Sequence, residues 1–289
     1  YTPAYEVYYK GNVEAGTASP IRTGWAFPVL YHVKGGQAWG LITESDLDNT
    51  YFGARLEREA TFGVYRIRMP DAAEGMGTGS LEPQSSLPWQ TPWRVIMVGS
   101  QLATIVESTL VTDLARPAIV EQTDWIKPGR VSWSWWSDQD SPQDCAKLKK
   151  FIDLAAEMKW EYSLIDANWT IMKNGTIHDL AKYAKWKGVG LLLWYNSGGL
   201  HNEVSEKPRG LMFFPSIRNK EFQLLNQWGV KGVKVDFFQS DKQNIISLYH
   251  AICKDAAEAR IMVNFHGCTL PRGWDRTYPH LMSMESVRG

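Results

Sequence analysis

The chain has 289 residues and carries 31 Lys+Arg against 31 Asp+Glu, a formal net charge of zero. That balance argues against a nucleic-acid protein, whose affinity rests on surplus Lys and Arg, and it leaves no polybasic handle for anionic lipid. At 44% hydrophobic the chain can bury a core, yet no apolar run approaches the roughly 18–20 residues that cross a bilayer, so no membrane insertion is expected. Cys145, Cys253 and Cys268 are too few and too scattered for a disulfide framework or a zinc site. The chain opens at Tyr1 rather than Met, which reads as a mature form or an excised fragment, so the missing signal peptide says nothing about compartment. The surplus is aromatic, with 14 Trp and 12 Tyr; rings with an apolar face and a polar edge suit cores, interfaces and sugar-like ligands.

Residues 1–120 are expected to form a β-sandwich-like domain. Short alternating runs over 39–43, 63–68 and 94–98 are separated by Gly, Pro and Asp, and no stretch sustains an amphipathic helix. Gly75-Met76-Gly77-Thr78-Gly79 resembles a phosphate loop by glycine count alone; with no helix after it, a flexible loop is expected. After Asp124-Trp125-Ile126-Lys127-Pro128-Gly129 the pattern changes to strands alternating with amphipathic helices. Strands are expected over 131–136, 162–165, 189–194, 230–235, 261–264 and 280–284. Ser141-Pro142 reads as an N-cap and first helical residue, with Cys145, Leu148, Ile152, Ala155 and Met158 following at helical spacing. Helices over 179–187 and 221–228 end at Gly188 and Gly229, and Asp241 opens another that carries Ile245, Leu248, Tyr249 and Ile252. This βα alternation predicts a parallel α/β sheet or a (β/α)8 TIM-type barrel over 121–289. A whole barrel takes about 250 residues, and about 165 remain here, so the barrel is expected to be truncated after its sixth strand.

In a parallel barrel, chemistry gathers at the C-terminal strand ends. Those positions hold Trp135, Trp136 and Asp138; Asp166, Asn168 and Trp169; Trp194, Tyr195 and Asn196; Asp236; Asn264 and His266; Glu285 and Arg288. Carboxylates recur in this set, and glycoside cleavage needs two, one protonated and one ionised. Trp and Tyr beside them would stack on a sugar's C–H face. An Asp at a strand end also commonly caps the next helix; that alternative weighs most for Asp138, less for Asp166 and least for Asp236. Lys234 lies two residues before Asp236 and points to the same side. A Lys–Asp pair there could be structural, although charged pairs in a cleft favour function. His266 is either a satisfied core histidine or a ligand-facing one. The sequons at Asn168 and Asn174 match by chance often, and the Met and Cys residues on helices read as core.

Several segments together are similar to glycoside hydrolase family 97, bacterial α-glucosidases and α-galactosidases with an N-terminal β-super-sandwich and a (β/α)8 barrel. They are Ile42-Thr43-Glu44-Ser45-Asp46-Leu47, Thr91-Pro92-Trp93-Arg94-Val95-Ile96, Lys127 through Trp136, Gly232 through Phe238, and Glu285-Ser286-Val287-Arg288-Gly289. The resemblance implies a hydrolase of terminal α-linked sugars. Asp236 stands where retaining members carry the nucleophile, and Gly267 follows His266 where inverting members carry Glu, so a retaining α-galactosidase is implied. An inverting α-glucosidase or a non-catalytic carbohydrate-binding protein are the alternatives. The acid/base Glu is implied two residues beyond Gly289. Asp138, Asp166, Trp194, Lys234 and His266 are implied around the substrate. Glu285 and Glu44 are implied as ligands of a calcium ion, with a surface acid near a turn as the other reading of Glu44. An α-linked oligosaccharide is the expected partner, and the bacterial periplasm or cell surface the expected place; oligomeric state is left open.

Overall fold

A computed structural model gives the architecture; the described residues are 4, 6–8, 10–33 and 35–288, so Tyr1 and Gly289 lie outside them. Six short strands open the chain: β1 (Trp25–Ala26), β2 (Val29–His32), β3 (Trp39–Ser45), β4 (Arg55–Leu56), β5 (Ile67–Arg68) and β6 (Trp93–Gly99). They make two antiparallel sheets of three strands, ordered β1-β4-β5 and β2-β3-β6. The longest pairing sets β3 against β6 from Trp39↔Gly99 to Ser45↔Trp93. Among the described residues, a small apolar cluster joins Phe27, Phe52, Ala54 and Leu56 of this region to Leu270 of the next. Two one-turn helices, α1 (Leu102–Val106) and α2 (Leu110–Leu114), correct the expectation of strands alone. At five residues each, they are too short for periodicity to reveal.

The rest of the chain builds a curled parallel sheet. Its strands are β7 (Val131–Trp133), β8 (Tyr162–Ile165), β9 (Gly190–Asn196), β10 (Gly232–Asp236), β11 (Met262–His266) and β12 (Leu281–Glu285). Sheet order follows chain order, and every pair is parallel. The crossovers carry α3 (Cys145–Glu157), α4 (Ile177–Lys187), α5 (Pro215–Trp228), α6 (Gln243–Glu258) and the short α7 (Trp274–Thr277). Right-handed crossovers in one direction return each helix to the same face, so the sheet bends toward a TIM-type half-barrel.

Period two then divides the residues. Leu193, Val233, Val235, Val263 and Phe265 join Ile152, Leu180, Phe222, Leu225, Ile246 and Ile252 in one buried cluster. Full burial of each such side chain stabilises by about 1.5–3 kcal/mol. The other alternation, Val131, Trp133, Leu164, Leu192, Lys234, Asn264 and Ser283, lines the concave side.

Helix starts depart from expectation in an instructive way. Ser141-Pro142 occupies a single 3-10 turn, and α3 is capped by Asp144, whose carboxylate accepts from Ala146 N and Lys147 N. The helix expected from 179 begins at Ile177 behind a Thr176/Asp179 capping box, and the one expected from 221 begins at Pro215. Asp241 does not cap α6: its carboxylate is bound by Arg55 and Thr269 instead.

Candidate active site at the rim of the half-barrel

Asp236 is the last residue of β10 and is 4% exposed. Its Oδ1 accepts from Phe237 N at 2.7 Å, and its Oδ2 accepts from Trp194 Nε1 at 3.2 Å. His266 Nδ1 stands 3.1 Å from the same Oδ2. Burial works to raise this carboxyl's pKa, but His266, Lys234 and the Trp194 N–H together hold it below the usual aspartate value. The group therefore stays ionised in a nearly dry setting.

The turn that follows is strained. Phe237 and Gln239 adopt left-handed φ values of 68° and 52°, a conformation that costs a bulky residue about 1–2 kcal/mol. Several bonds impose it: Asn202 Nδ2 and Ser197 Oγ donate to Phe237 O, Phe238 N donates to Gly267 O, and Gly75 N donates to Gln239 O. The last bond comes from the glycine loop, whose expected flexibility is corrected here. Lys242 Nζ donates to the carbonyls of Ala72, Glu74 and Thr78 and pins the loop to the barrel. At Gly79, with φ of 82°, a Cβ would come within 2.3 Å of Asn244.

A cavity of about 560 Å³, within the size range of small-molecule sites, is lined by Trp133, Lys234, His266, Glu285 and the concave-side apolar residues; Asp236 and Asp166 lie behind Lys234 and His266 and are not among its lining residues. Lys234 Nζ donates to Asp166 Oδ2 at 3.0 Å and sits 4.3 Å from the Trp133 ring centroid. Trp133 Nε1 donates to the same Asp166 oxygen at 2.7 Å. Trp133 was not among the expected site residues, although Val131, Trp133 and Trp135 share one face by strand alternation.

Of the expected residues, Asp236, Asp166, Lys234, His266 and Glu285 gather at this rim. Trp194 joins them with a different exposure: it is 1% exposed, so no ring face is open to a ligand. Asp138 is half-exposed on the turn after β7, where it binds Lys147 and accepts from Asp140 N, and it is not among the residues lining the cavity.

Glu44 is elsewhere and heavily bonded. Its Oε1 accepts from Ala54 N at 3.0 Å and Arg272 Nε at 2.5 Å, and Arg94 takes Oε2. Two guanidinium groups and a backbone N–H take three of its roughly four lone-pair sites and already balance its charge, and Glu44 is not among the described residues that cluster as candidate metal ligands. Among the described residues, the cluster that brings candidate metal ligands together is Glu6, His266 and Glu285, two carboxylates and an imidazole with ligand atoms within 4.8 Å of one another. Glu6 arrives because Val7 pairs with Val287 as an isolated parallel bridge; nothing in the sequence signals that pairing. Burial, with Glu6 and Asp236 adding, raises the Glu285 carboxyl above its usual value.

Family models match both regions in order: glycosyl-hydrolase 97 N-terminal over residues 1–117, and glycoside hydrolase 97 over residues 125–287. The chain belongs to glycoside hydrolase family 97. It is 35% identical over 273 residues to a probable retaining alpha-galactosidase of Streptomyces bingchenggensis, covering 90% of this chain and 39% of that one. A retaining alpha-galactosidase of Bacteroides thetaiotaomicron is 27% identical over 279 residues, covering 86% and 40%. The crystal structure of a beta-arabinopyranosidase superposes with a TM-score of 0.93 at 39% identity, over 99% of this chain and 45% of that one. This family 97 chain thus spans less than half the length of each of these three relatives. No helix among its described residues is long and apolar enough to cross a membrane.

Proposed function

We propose that the whole protein hydrolyses terminal α-linked sugars with retention of configuration, most closely as an α-galactosidase, and that Asp236 is its nucleophile. The observation that carries this reading is a buried carboxylate at the end of β10, held below its usual pKa, whose neighbours His266 and Lys234 line a cavity of small-ligand size. Asp236 attacks the anomeric carbon as the glycosidic oxygen leaves with a proton, forming a glycosyl ester. Water then cleaves that ester and restores the carboxylate, the proton passing back to the residue that gave it. The donor is the glutamate that the family pattern puts two residues beyond Gly289. Lys234, Asp166 and His266 hold ring hydroxyls, and Trp133 offers its face to the sugar.

The reading also takes residues 1–120 as part of a β-super-sandwich and 121–289 as part of a complete (β/α)8 barrel, in a protein of the periplasm or cell surface. Calcium would be held by Glu285 with Glu6 and would supply positive charge beside a sugar hydroxyl. Calorimetric titration tests this, because Glu285→Gln should weaken calcium binding at least tenfold; unchanged affinity removes Glu285 as a ligand.

A second substrate has specific support in the 39% identity to a beta-arabinopyranosidase. β-L-Arabinopyranose has the ring of α-D-galactose without the C5 hydroxymethyl group, so the same carboxylate can serve both. The missing carbon alone is worth roughly 10–200-fold in selectivity, and more where the site hydrogen-bonds the hydroxyl it carries. The test uses p-nitrophenyl α-D-galactoside and β-L-arabinopyranoside with full-length wild type and Asp236→Ala. NMR of the first-formed sugar should show retention, Asp236→Ala should lose at least about 10³-fold in kcat, and azide should restore its turnover. Inversion, or wild-type turnover in Asp236→Ala, contradicts the reading.

A further inference from the structure

We infer that Trp194 is a positioning residue for the nucleophile, its indole N–H fixing Asp236 Oδ2 from inside the barrel wall. This rests on the assignment of Asp236 made above and goes beyond it. An aromatic residue at a strand end of a carbohydrate enzyme is ordinarily expected to stack on sugar. Trp194 cannot do so, because only 1% of it is exposed. Its single polar side-chain atom, a donor with no acceptor capacity, is spent on Asp236 at 3.2 Å.

The strand register explains the reach. Trp194 pairs with Lys234 and Asn196 pairs with Asp236, so the indole starts one layer below the carboxylate and extends up to it. The ring meets Phe237 edge-on at 6.0 Å and 71°, and the main chain beneath it is held where the Trp194 carbonyl accepts from Trp169 Nε1 at 2.8 Å. Phe237 N in turn holds Asp236 Oδ1. The two oxygens are therefore pinned by donors that belong to one packed unit, and the carboxylate plane cannot rotate freely.

The kind of donor matters to the reaction. Asp236 loses its negative charge when the glycosyl ester forms and regains it when water cleaves the ester. A neutral N–H favours the charged form while letting go at modest cost. A paired guanidinium of the sort that holds Glu44 would have to be left uncompensated at each turnover. An indole thus orients the carboxylate and improves it as the leaving group of the second step.

The decisive experiment is Trp194→Phe in the full-length protein, which removes the N–H and keeps an aromatic ring. kcat should fall about tenfold, the size of one hydrogen bond to a charged group, with KM within twofold of wild type. A kcat equal to wild type overturns the proposal. Should Trp194→Phe fail to fold, ¹⁵N-tryptophan spectra of wild type and Asp236→Asn decide instead. One indole resonance should move between them, and coincidence of every indole resonance overturns the proposal. Asp236→Ala measured alongside separates the two claims: an inactive Asp236→Ala with an unaffected Trp194→Phe removes only the role of Trp194.

Discussion

Around the six parallel strands the interior is apolar, whereas the seam between them and the first region is filled with charge. Leu193, Val235, Phe265, Ile152 and Ile252 have no exposed surface and belong to one buried cluster. At the seam, Arg55 binds Glu74 at 2.6 Å and Asp241 at 3.0 Å, and Arg272 binds Glu44 at 2.5 Å, with all five nearly or fully buried. Dispersion packing tolerates small adjustments, but a buried ionic seam does not, since any shift leaves a charge unpaired. The seam thus fixes orientation while the apolar interior supplies most of the stability. Asp236 stands between these regimes. It is buried like Glu44, yet its side-chain partners are an indole and an imidazole rather than two guanidinium groups, which suits the nucleophile role proposed for it.

The largest effect that would break this comparison is expected at Arg55. Arg55→Met removes the cation shared by Glu74 and Asp241 and should destabilise by about 3–5 kcal/mol, read as a large fall in the thermal midpoint. A fall no greater than that of a surface Arg→Met control would mean that the seam is not held by charge.

A smaller effect follows from histidines. His250 on α6 donates Nε2–H to Leu47 O across the seam, and Nδ1 accepts from Tyr278 OH, which defines the neutral tautomer. Burial pulls His250 down to about 4, and burial with Arg209 nearby does the same to His201. Above pH 6.5 both states are neutral. As pH falls from about 6.5 toward 4, the unfolded chain takes up protons that the folded one refuses, so stability declines across that window. Thermal midpoints from pH 7 to 4.5 should show this decline, and His250→Gln should make it shallower. A flat profile in wild type contradicts the assignment.

Much of this was legible in the sequence, for identifiable reasons. The parallel strands announced themselves because helices and strands alternate there with clear periods, and Lys234-Val235-Asp236 ends its strand in a charge that an apolar sheet does not need. The first region was less legible: strands of two residues and helices of five fall below any window. Trp194 reads from the sequence as a strand-end ring with a face open to sugar; its burial depends on neighbours that only packing reveals. Glu44 illustrates a partial signal. Arg94 faces it across β3 and β6, which a correct register would have found, but Arg272 lies 228 residues away in sequence. Glu6 had no signal at all, since its place depends on a single bridge at the far end of the chain.

The account turns on a covalent bond between sugar and Asp236. Incubating the full-length enzyme with a fluorinated α-galactosyl fluoride that slows the second step, then digesting it for mass spectrometry, should give one added sugar on the peptide spanning Gly232–Asp236. Turnover with no labelled peptide, or a label on any other residue, would contradict it.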